Sequence, residues 1–223
     1  EGPPAMTPEA GYCQPSPPEI EIRRQIALRG KITFAEFMRL ALYYPQGGYY
    51  TGPAAFGDRG DYFTSPAAHP VFGALLAAQF HRMWEVMGAP SPFHVVEMGA
   101  GNGLLARDVL EYASSVPGFA SSLRYVALDR YAPAGLTPSG SRPERVVSDS
   151  LPVRGVVGCL FSNELVDSFP VHRFRVQGGR IEEVYVGLDE GDRFVELVDE
   201  PSRPELSGYL KALVGGRPDG VRG

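Results

Sequence analysis

A glutamate followed by alternating glycines is the part of this sequence best suited to hold a ligand. Glu97 ends a short apolar run. The glycines follow it at every second position: Gly99, Gly101 and Gly103. Glycine lets the backbone adopt positive φ and approach a ligand closely, and the helical spacing of Leu104–Leu110 predicts free N–H groups at a helix start. The stretch therefore predicts a ligand site where a strand meets a helix, although a tight turn without a ligand has the same pattern.

The spacing and charge of this turn favour a cationic ligand over a dinucleotide. Dinucleotide sites use G-x-G-x-x-G, whereas this turn follows G-x-G-x-G. The Glu97 carboxylate would also repel a pyrophosphate. S-adenosylmethionine carries an ammonium and a sulfonium group, so the turn favours that cofactor. An NAD-dependent oxidoreductase is disfavoured for the same two reasons.

Further polar residues follow the later apolar runs, at the sheet edge where the carboxyl ends of parallel strands meet. Asp129 ends the second run and could accept hydrogen bonds from both ribose hydroxyls. Asp149 ends the third and could accept from the adenine amine, with Ser150 and Leu151 lining the ring. Singly, each acid could instead be a turn residue or a helix cap. The predicted strands are Phe93–Val96, Leu123–Asp129, Val146–Asp149 and Val156–Phe161.

The fourth strand is followed by Asn163, Glu164 and Asp167, where the transferred methyl group of such a cofactor would lie. A guanidinium acceptor has a pKa above about 12. Two carboxylates gripping its other nitrogens would orient the attacking one. Glu164 and Asp167, three apart on the predicted first turn of a helix, would lie on neighbouring faces. They could equally be acids that the helix dipole favours at an N-terminus.

The remaining pattern predicts an α/β fold, in which a Rossmann-like, mostly parallel sheet has a helical extension before it and an inserted β-hairpin after it. Thr33 and Glu36 form a capping-box pattern, and Gly178-Gly179 suits a two-residue hairpin turn. We expect His69 to cap the helix near Pro70 or to lie on the surface. The predicted helices outside the core cover 20–28, 34–42, 70–84 and 204–214, and the predicted strands of the hairpin region cover 171–176, 181–188 and 194–198.

Two loops before the core could contribute to the site. Four tyrosines surround Gly47-Gly48 and could form an aromatic pocket wall or a hydrophobic lid. Asp61, Thr64 and Ser65 could contact a ligand or serve as turn residues. We divide the chain into a flexible lead-in (1–18), a helical region with the lid (19–90), the cofactor-binding core (91–170) and the hairpin insertion with a closing helix (171–223).

Composition excludes several classes of partner. The formal net charge is −5 and the basic residues are scattered, so no basic field recruits nucleic acid. No apolar stretch is long enough to cross a membrane. Cys13 and Cys159 lack metal-site spacing, and we expect no metal. A buried free thiol at Cys159 favours a reducing compartment such as the cytoplasm. No feature indicates the oligomeric state.

Four blocks of the sequence together resemble one known family. They are FMRLALYYPQGGYY from Phe37, GDYFTSP from Gly60, VVEMGAGNG from Val95 and NELVDSFPVHRF from Asn163. In this order they resemble the MidA-like family of class I S-adenosylmethionine-dependent protein arginine methyltransferases, which includes the mitochondrial complex I assembly methyltransferase and bacterial relatives. The resemblance covers the chain from about Gly30 onwards.

The resemblance implies a class I methyltransferase fold, S-adenosylmethionine as cofactor and an arginine of a protein substrate as acceptor. In the mitochondrial branch that substrate is a respiratory complex I subunit, so for a eukaryotic source the resemblance implies the mitochondrial matrix. By position, the resemblance assigns cofactor contacts to four residues of the turn and places the loop over 60–65 close to the site. It places Asn163 and Glu164 beside the transferred methyl group. The four turn residues are Glu97, Gly99, Gly101 and Asn102.

Two features depart from the family pattern. Ala67 stands where the family usually has an acid. The strands that complete a seven-stranded sheet in the family lie beyond the last residue of this sequence, which suggests a fragment or a shortened member. The alternative function is therefore an assembly or binding factor that keeps the fold without catalysis.

Overall fold

The computed structural model describes residues 14–51, 69–131 and 143–214. They fall into two compact units. The central unit is drawn from Tyr49–Phe169, and the terminal unit from Glu1–Gly48 together with Pro170–Gly223. The terminal unit thus combines the beginning of the chain with its end, whereas the predicted segments follow one another along the chain.

The elements alternate between helix and strand through the central unit and are mainly strands near the end of the chain. In chain order they are α1 (Pro17–Arg29), β1 (Ile32–Thr33), α2 (Phe34–Tyr43), a 3-10 turn (Tyr49–Thr51), α3 (Val71–Val86), β2 (Phe93–Met98), α4 (Leu104–Ala113), α5 (Pro117–Ser122), β3 (Leu123–Asp129), β4 (Glu144–Val147), β5 (Gly158–Ser162), a 3-10 turn (Val166–Ser168), β6 (Arg173–Gln177), β7 (Arg180–Leu188), β8 (Phe194–Asp199) and α6 (Pro204–Val214). None of the helices in the described ranges is both long and apolar enough to cross a lipid bilayer.

The central unit is built on a parallel sheet with the strand order β4-β3-β2-β5. Its middle strand β2 is apolar towards both faces, because Val95 and Val96 are both buried although they point to opposite sides. Helices α3, α4 and α5 pack with Phe93 and Val95, and Val109 and Phe119 complete this core. The predicted α/β fold with a parallel sheet is confirmed.

The structure also fixes where the predicted strands end. The predicted second strand coincides with β3, and β2 continues to Met98. β4 ends at Val147, so Asp149 lies in the loop after the strand. β5 begins at Gly158, two residues later than predicted. The carboxyl ends of these strands lie at one edge of the sheet, which is where the predicted site residues were expected.

The terminal unit contains an antiparallel sheet in which β7 pairs with β1, β6 and β8. Gly178 and Gly179 both have positive φ, as the predicted two-residue hairpin turn requires. Thr33 Oγ1 accepts a 3.1 Å hydrogen bond from the Glu36 N–H and so caps α2 as expected. In the central unit, His69 is exposed, and its Nδ1 accepts a 3.0 Å hydrogen bond from the Val71 N–H at the start of α3, which agrees with the expected cap or surface position.

Candidate functional site

The turn between β2 and α4 depends on glycine for both conformation and space. Gly99, Gly101 and Gly103 have φ values of 75°, 51° and 81°, in the region that side chains disfavour. A Cβ atom at Gly99 would lie 2.8 Å from Leu165 Cδ1. One at Gly103 would collide with the Arg145 guanidinium. The alternating glycines therefore allow a backbone path that larger residues would close.

The end of β3 anchors this turn. The Leu128 carbonyl accepts hydrogen bonds from the N–H groups of Gly99 and Ala100, at 2.9 and 3.1 Å. The Gly101 N–H donates to Asp129 Oδ2 at 2.8 Å. Hydrogen bonds thus join the glycine turn after β2 to the end of β3, and we call this part of the sheet edge the corner.

The Asp129 carboxylate holds the corner together and can still accept further hydrogen bonds from a ligand. Each of its carboxylate oxygens accepts one backbone hydrogen bond, Oδ2 from Gly101 and Oδ1 from the Tyr131 N–H at 3.1 Å. A carboxylate oxygen has capacity for a second donor. Both oxygens can therefore still accept a hydroxyl, as the predicted ribose contact requires.

Glu97 lies beneath the turn and is only 3% exposed. The Tyr125 hydroxyl donates a 2.8 Å hydrogen bond to its Oε2 atom. The pKa of Glu97 is raised to about 7, chiefly by burial. This value includes the lowering effect of the Tyr125 hydrogen bond, the raising effect of the Asp129 charge and the lowering effect of the Arg145 charge. Because the ionised form is costly to bury, a cation placed nearby would stabilise it.

Asn102 connects the turn to the helix that follows. Its Oδ1 accepts a 3.1 Å hydrogen bond from the Leu104 N–H, an Asx turn that leads into α4. Its carbonyl accepts a 3.1 Å hydrogen bond from Arg145 Nη2. Sequence reasoning did not find Arg145 or Tyr125, because only the register of the strands brings them to the corner.

Asp149 and Ser150 follow β4 and are exposed. The Ser148 N–H donates to the Asp129 carbonyl at 2.9 Å, so the chain leaving β4 stays close to the end of β3. The Ser150 N–H donates to Ser148 Oγ at 3.2 Å, which makes a local turn. Their assignment to the adenine stays a prediction.

The residues after β5 lie at the same edge, and Leu165 brings them against the turn through its contact with Gly99. The expected α-helical turn is wrong. Glu164 has a φ of 49°, precedes a 3-10 turn over Val166–Ser168 and is exposed. This positive φ is incompatible with a right-handed helix at Glu164, and the extended Phe169 before Pro170 ends the 3-10 turn at Ser168.

The i, i+3 argument for a pair of carboxylates therefore does not apply. Asp167 lies within the short 3-10 turn and is exposed, like Glu164. Asn163 is half-buried directly after β5. All three remain at the edge of the sheet where the sequence placed them, and their roles stay predictions.

Several expectations concern residues outside the described ranges. Asp61, Thr64 and Ser65 are among them, as are Ala67 and Cys13.

Cys159 is a free, half-buried thiol, and burial raises its pKa. Within the described ranges no group of three His, Cys, Asp or Glu side chains is placed to hold a metal ion.

Comparison with known proteins now identifies the family. A model of S-adenosyl-L-methionine-dependent methyltransferases matches residues 75–220, well over half of the chain. The chain belongs to the MidA-like family of these methyltransferases. The resemblance expected from the four sequence blocks is thereby confirmed.

Curated relatives of the MidA-like family are similar over most of this chain. The protein arginine methyltransferase NDUFAF7 homolog, mitochondrial, of Drosophila melanogaster is 31% identical over 199 residues, which cover 77% of this chain and 45% of that protein. The protein arginine methyltransferase NDUFAF7, mitochondrial, of Homo sapiens is 29% identical over 193 residues, which cover 74% and 44%. The chain spans somewhat less than half the length of these relatives.

A solved structure shares the fold. The crystal structure of a COG1565 superfamily member from Burkholderia thailandensis, bound to S-adenosyl-homocysteine, superposes with a TM-score of 0.71 and 26% sequence identity. The match covers 91% of this chain and 54% of that one. The class I methyltransferase fold expected for a MidA-like protein is therefore confirmed.

Proposed function

We propose that this MidA-like protein uses S-adenosylmethionine to methylate an arginine side chain of a protein substrate. One observation carries the proposal: the buried Glu97 lies beneath a turn of left-handed glycines, beside Asp129 at the next strand end. The curated relatives are named protein arginine methyltransferases, which supports arginine as the methyl acceptor. Because those relatives are mitochondrial, we propose the mitochondrial matrix for a eukaryotic source and the cytoplasm otherwise.

The corner of the sheet suits the polar groups of this cofactor. Asp129 has acceptor capacity for the two ribose hydroxyls. Glu97 supplies negative charge for the ammonium and sulfonium groups, while Asp149 and Ser150 are proposed to hold the adenine. The loop with Asp61, Thr64 and Ser65 is a further proposed contact. When bound, the cofactor supplies an activated methyl group, and the protein supplies alignment and electrostatics.

The segment after β5 is the proposed acceptor side of the site. Leu165 packs on the glycine turn, so Asn163 and Glu164 are held next to the corner. Carboxylates make short, charge-assisted hydrogen bonds to a guanidinium, and the exposed Glu164 and Asp167 can offer them. In the proposed role they hold two nitrogens of the arginine and direct the third at the methyl group of the cofactor. Transfer would form the N–C bond as the S–C bond breaks, would release S-adenosylhomocysteine, and would pass the proton of the methylated nitrogen to one of the two carboxylates.

Binding and catalysis are tested in two steps on the chain as it stands. In calorimetry at pH 8, we expect S-adenosylhomocysteine to bind at one site and NAD to give no heat. Absence of binding would overturn the proposed cofactor. Incubation with methyl-labelled cofactor and cell lysate, followed by mass spectrometry, should then place the label on a protein arginine.

The second step also decides between the two candidate functions. Label on an arginine supports the methyltransferase. Tight cofactor binding with no label in any protein would contradict catalysis by this chain and support the binding factor. A label on a different side chain would overturn the arginine assignment while leaving the cofactor site intact.

A further inference from the structure

We infer that Arg145 is a positioning residue of the cofactor site: it holds the glycine turn in place and supplies the positive charge that keeps Glu97 available to a cationic ligand. This rests on the proposed function for the identity of the ligand. The positioning of the turn by Arg145 is, however, a property of the protein alone and can be measured without any ligand.

The register of the sheet brings Arg145 to the turn from two strands away. Glu97 on β2 pairs with Ala127 on β3, and Ala127 pairs with Arg145 on β4. Paired residues of parallel strands direct their side chains to the same face of the sheet. Ala127, the residue between them, carries only a methyl group, so the long arginine side chain can extend across β3. Its Nη2 atom donates a 3.1 Å hydrogen bond to the Asn102 carbonyl.

Arg145 also occupies the space left by a missing side chain. The guanidinium lies where a Cβ atom at Gly103 would be. Gly103 has a φ of 81° and directly precedes α4, with no side chain of its own to cap the helix. Two side chains thus hydrogen-bond the turn, the Asp129 carboxylate at Gly101 and the Arg145 guanidinium at Asn102, and the guanidinium also lies against Gly103.

Arg145 is the positive member of the charged groups around Glu97. Tyr125 on β3 donates a hydrogen bond to Glu97, and the Asp129 carboxylate on the same strand repels its ionised form. The charge of Arg145 favours that ionised form and so lowers the pKa of Glu97, opposing the larger effect of burial. A cationic ligand gains most from an ionised Glu97, so Arg145 assists the binding of a cation without contacting it.

Lysine would reproduce only part of this role. A guanidinium is planar and presents several donors in a fixed fork, whereas an ammonium is a compact charge on a flexible stem. Arg145→Lys should therefore preserve the charge near Glu97 but hold the Asn102 carbonyl less well. Arg145→Met removes both effects and keeps a long side chain. Arg154→Met is the matched control, because Arg154 is exposed in the loop before β5 and makes no hydrogen bond or ion pair with the turn among the described contacts.

The first measurement is amide exchange by NMR without ligand. In Arg145→Met we expect the amides of Gly101 and Gly103 to exchange about tenfold faster, because the turn loses a charge-assisted hydrogen bond. Arg154→Met should exchange like the wild type. Unchanged exchange at both glycines in a folded Arg145→Met variant would overturn the positioning role, whether or not any cofactor binds.

The second measurement is the pH profile of S-adenosylhomocysteine affinity. Arg145→Met should bind about tenfold more weakly, with the midpoint of the profile displaced upward because the charge that lowers the pKa of Glu97 is lost. Arg145→Lys should restore the midpoint but only part of the affinity. An unmoved midpoint would overturn the electrostatic role. If the wild type binds no S-adenosylhomocysteine, the proposed function fails, and the exchange data still decide the positioning role.

Discussion

The Tyr125 hydroxyl donates a 2.8 Å hydrogen bond to the Glu97 carboxylate, and both side chains are buried on adjacent strands. Burial raises the pKa of Tyr125 far above its ordinary value of 10.0, so the hydroxyl stays a donor. The pKa of Glu97 is raised to about 7. The corner of the sheet therefore holds, at neutral pH, a carboxylate that ionises readily when a cation arrives.

Glu97→Gln should stabilise the free protein at high pH and weaken the cofactor complex. The pKa of Glu97 rises from 4.5 to about 7 on folding, so the folded state binds the proton more tightly. The free energy of unfolding of the wild type should therefore fall by about 3 kcal/mol as the pH rises from 4.5 through 7. Glu97→Gln has no ionisable group at this position, so its free energy of unfolding should not fall in this way.

Urea unfolding at pH 4 and pH 8 measures that difference, and calorimetry measures S-adenosylhomocysteine affinity. We expect Glu97→Gln to gain stability relative to the wild type only at pH 8, while affinity falls at least about tenfold. A variant with wild-type affinity would remove Glu97 from the ligand site. A variant with the same pH dependence of stability as the wild type would contradict its raised pKa.

Tyr125→Phe should destabilise the protein more at pH 8 than at pH 5. Removing the hydroxyl leaves the ionised Glu97 carboxylate without this donor, which costs about 1–3 kcal/mol for a buried group. At pH 5 Glu97 is protonated and depends less on the hydrogen bond. The measurement is urea unfolding at both pH values, with Tyr112→Phe as control because Tyr112 is exposed. An equal loss of stability at the two pH values would contradict the coupling between the Tyr125 hydrogen bond and the ionisation of Glu97.

Gly103→Ala should impair cofactor binding far more than Gly155→Ala. Both glycines have positive φ, 81° and 66°, so both variants carry a similar backbone strain of about 1 kcal/mol. Only at Gly103 does the added Cβ atom also displace the Arg145 guanidinium, since Gly155 has open space around it. Thermal unfolding and S-adenosylhomocysteine titration of the pair separate strain from displacement. Similar affinities for the two variants would show that the space at Gly103 is unimportant.

Glu164→Gln should lower turnover without weakening the cofactor complex. The carboxylate is exposed and held beside the glycine turn by its neighbour Leu165, where it can grip a guanidinium. We expect kcat to fall about 100-fold and S-adenosylhomocysteine affinity to stay within about twofold. Glu190→Gln, at an exposed glutamate between β7 and β8, is the control for loss of charge. Unchanged kcat in Glu164→Gln would exclude Glu164 from the reaction.

The sequence predicted the features that depend on neighbouring residues. Three of them depend on local backbone requirements and are present in the structure: the glycine turn after Glu97, the Thr33 helix cap and the Gly178-Gly179 hairpin turn. The short helix α5 and the two-residue strand β1 escaped prediction, because so few residues show no periodicity. The helix expected at Glu164 was wrong because Glu164 adopts a left-handed backbone conformation, which no local pattern marks, and because Phe169 is extended before Pro170.

The residues of the candidate site that could not be predicted from the sequence are those whose positions depend on strand register. Arg145 reaches the glycine turn across β3, and Tyr125 meets Glu97 only because the two strands pair in parallel at one particular offset. No local pattern in the sequence marks either residue. The contribution of Asp129 to the shape of the turn was likewise hidden, since its partner Gly101 lies 28 residues earlier.

The most direct test of the central claim is a crystal structure of the protein with S-adenosylhomocysteine. We expect the ligand to lie against the glycine turn, with its ribose hydroxyls within hydrogen-bond distance of Asp129 and its ammonium group on the side of Glu97. Electron density for the ligand at any other place, or a turn whose crevice is filled by the protein's own side chains, would contradict the account.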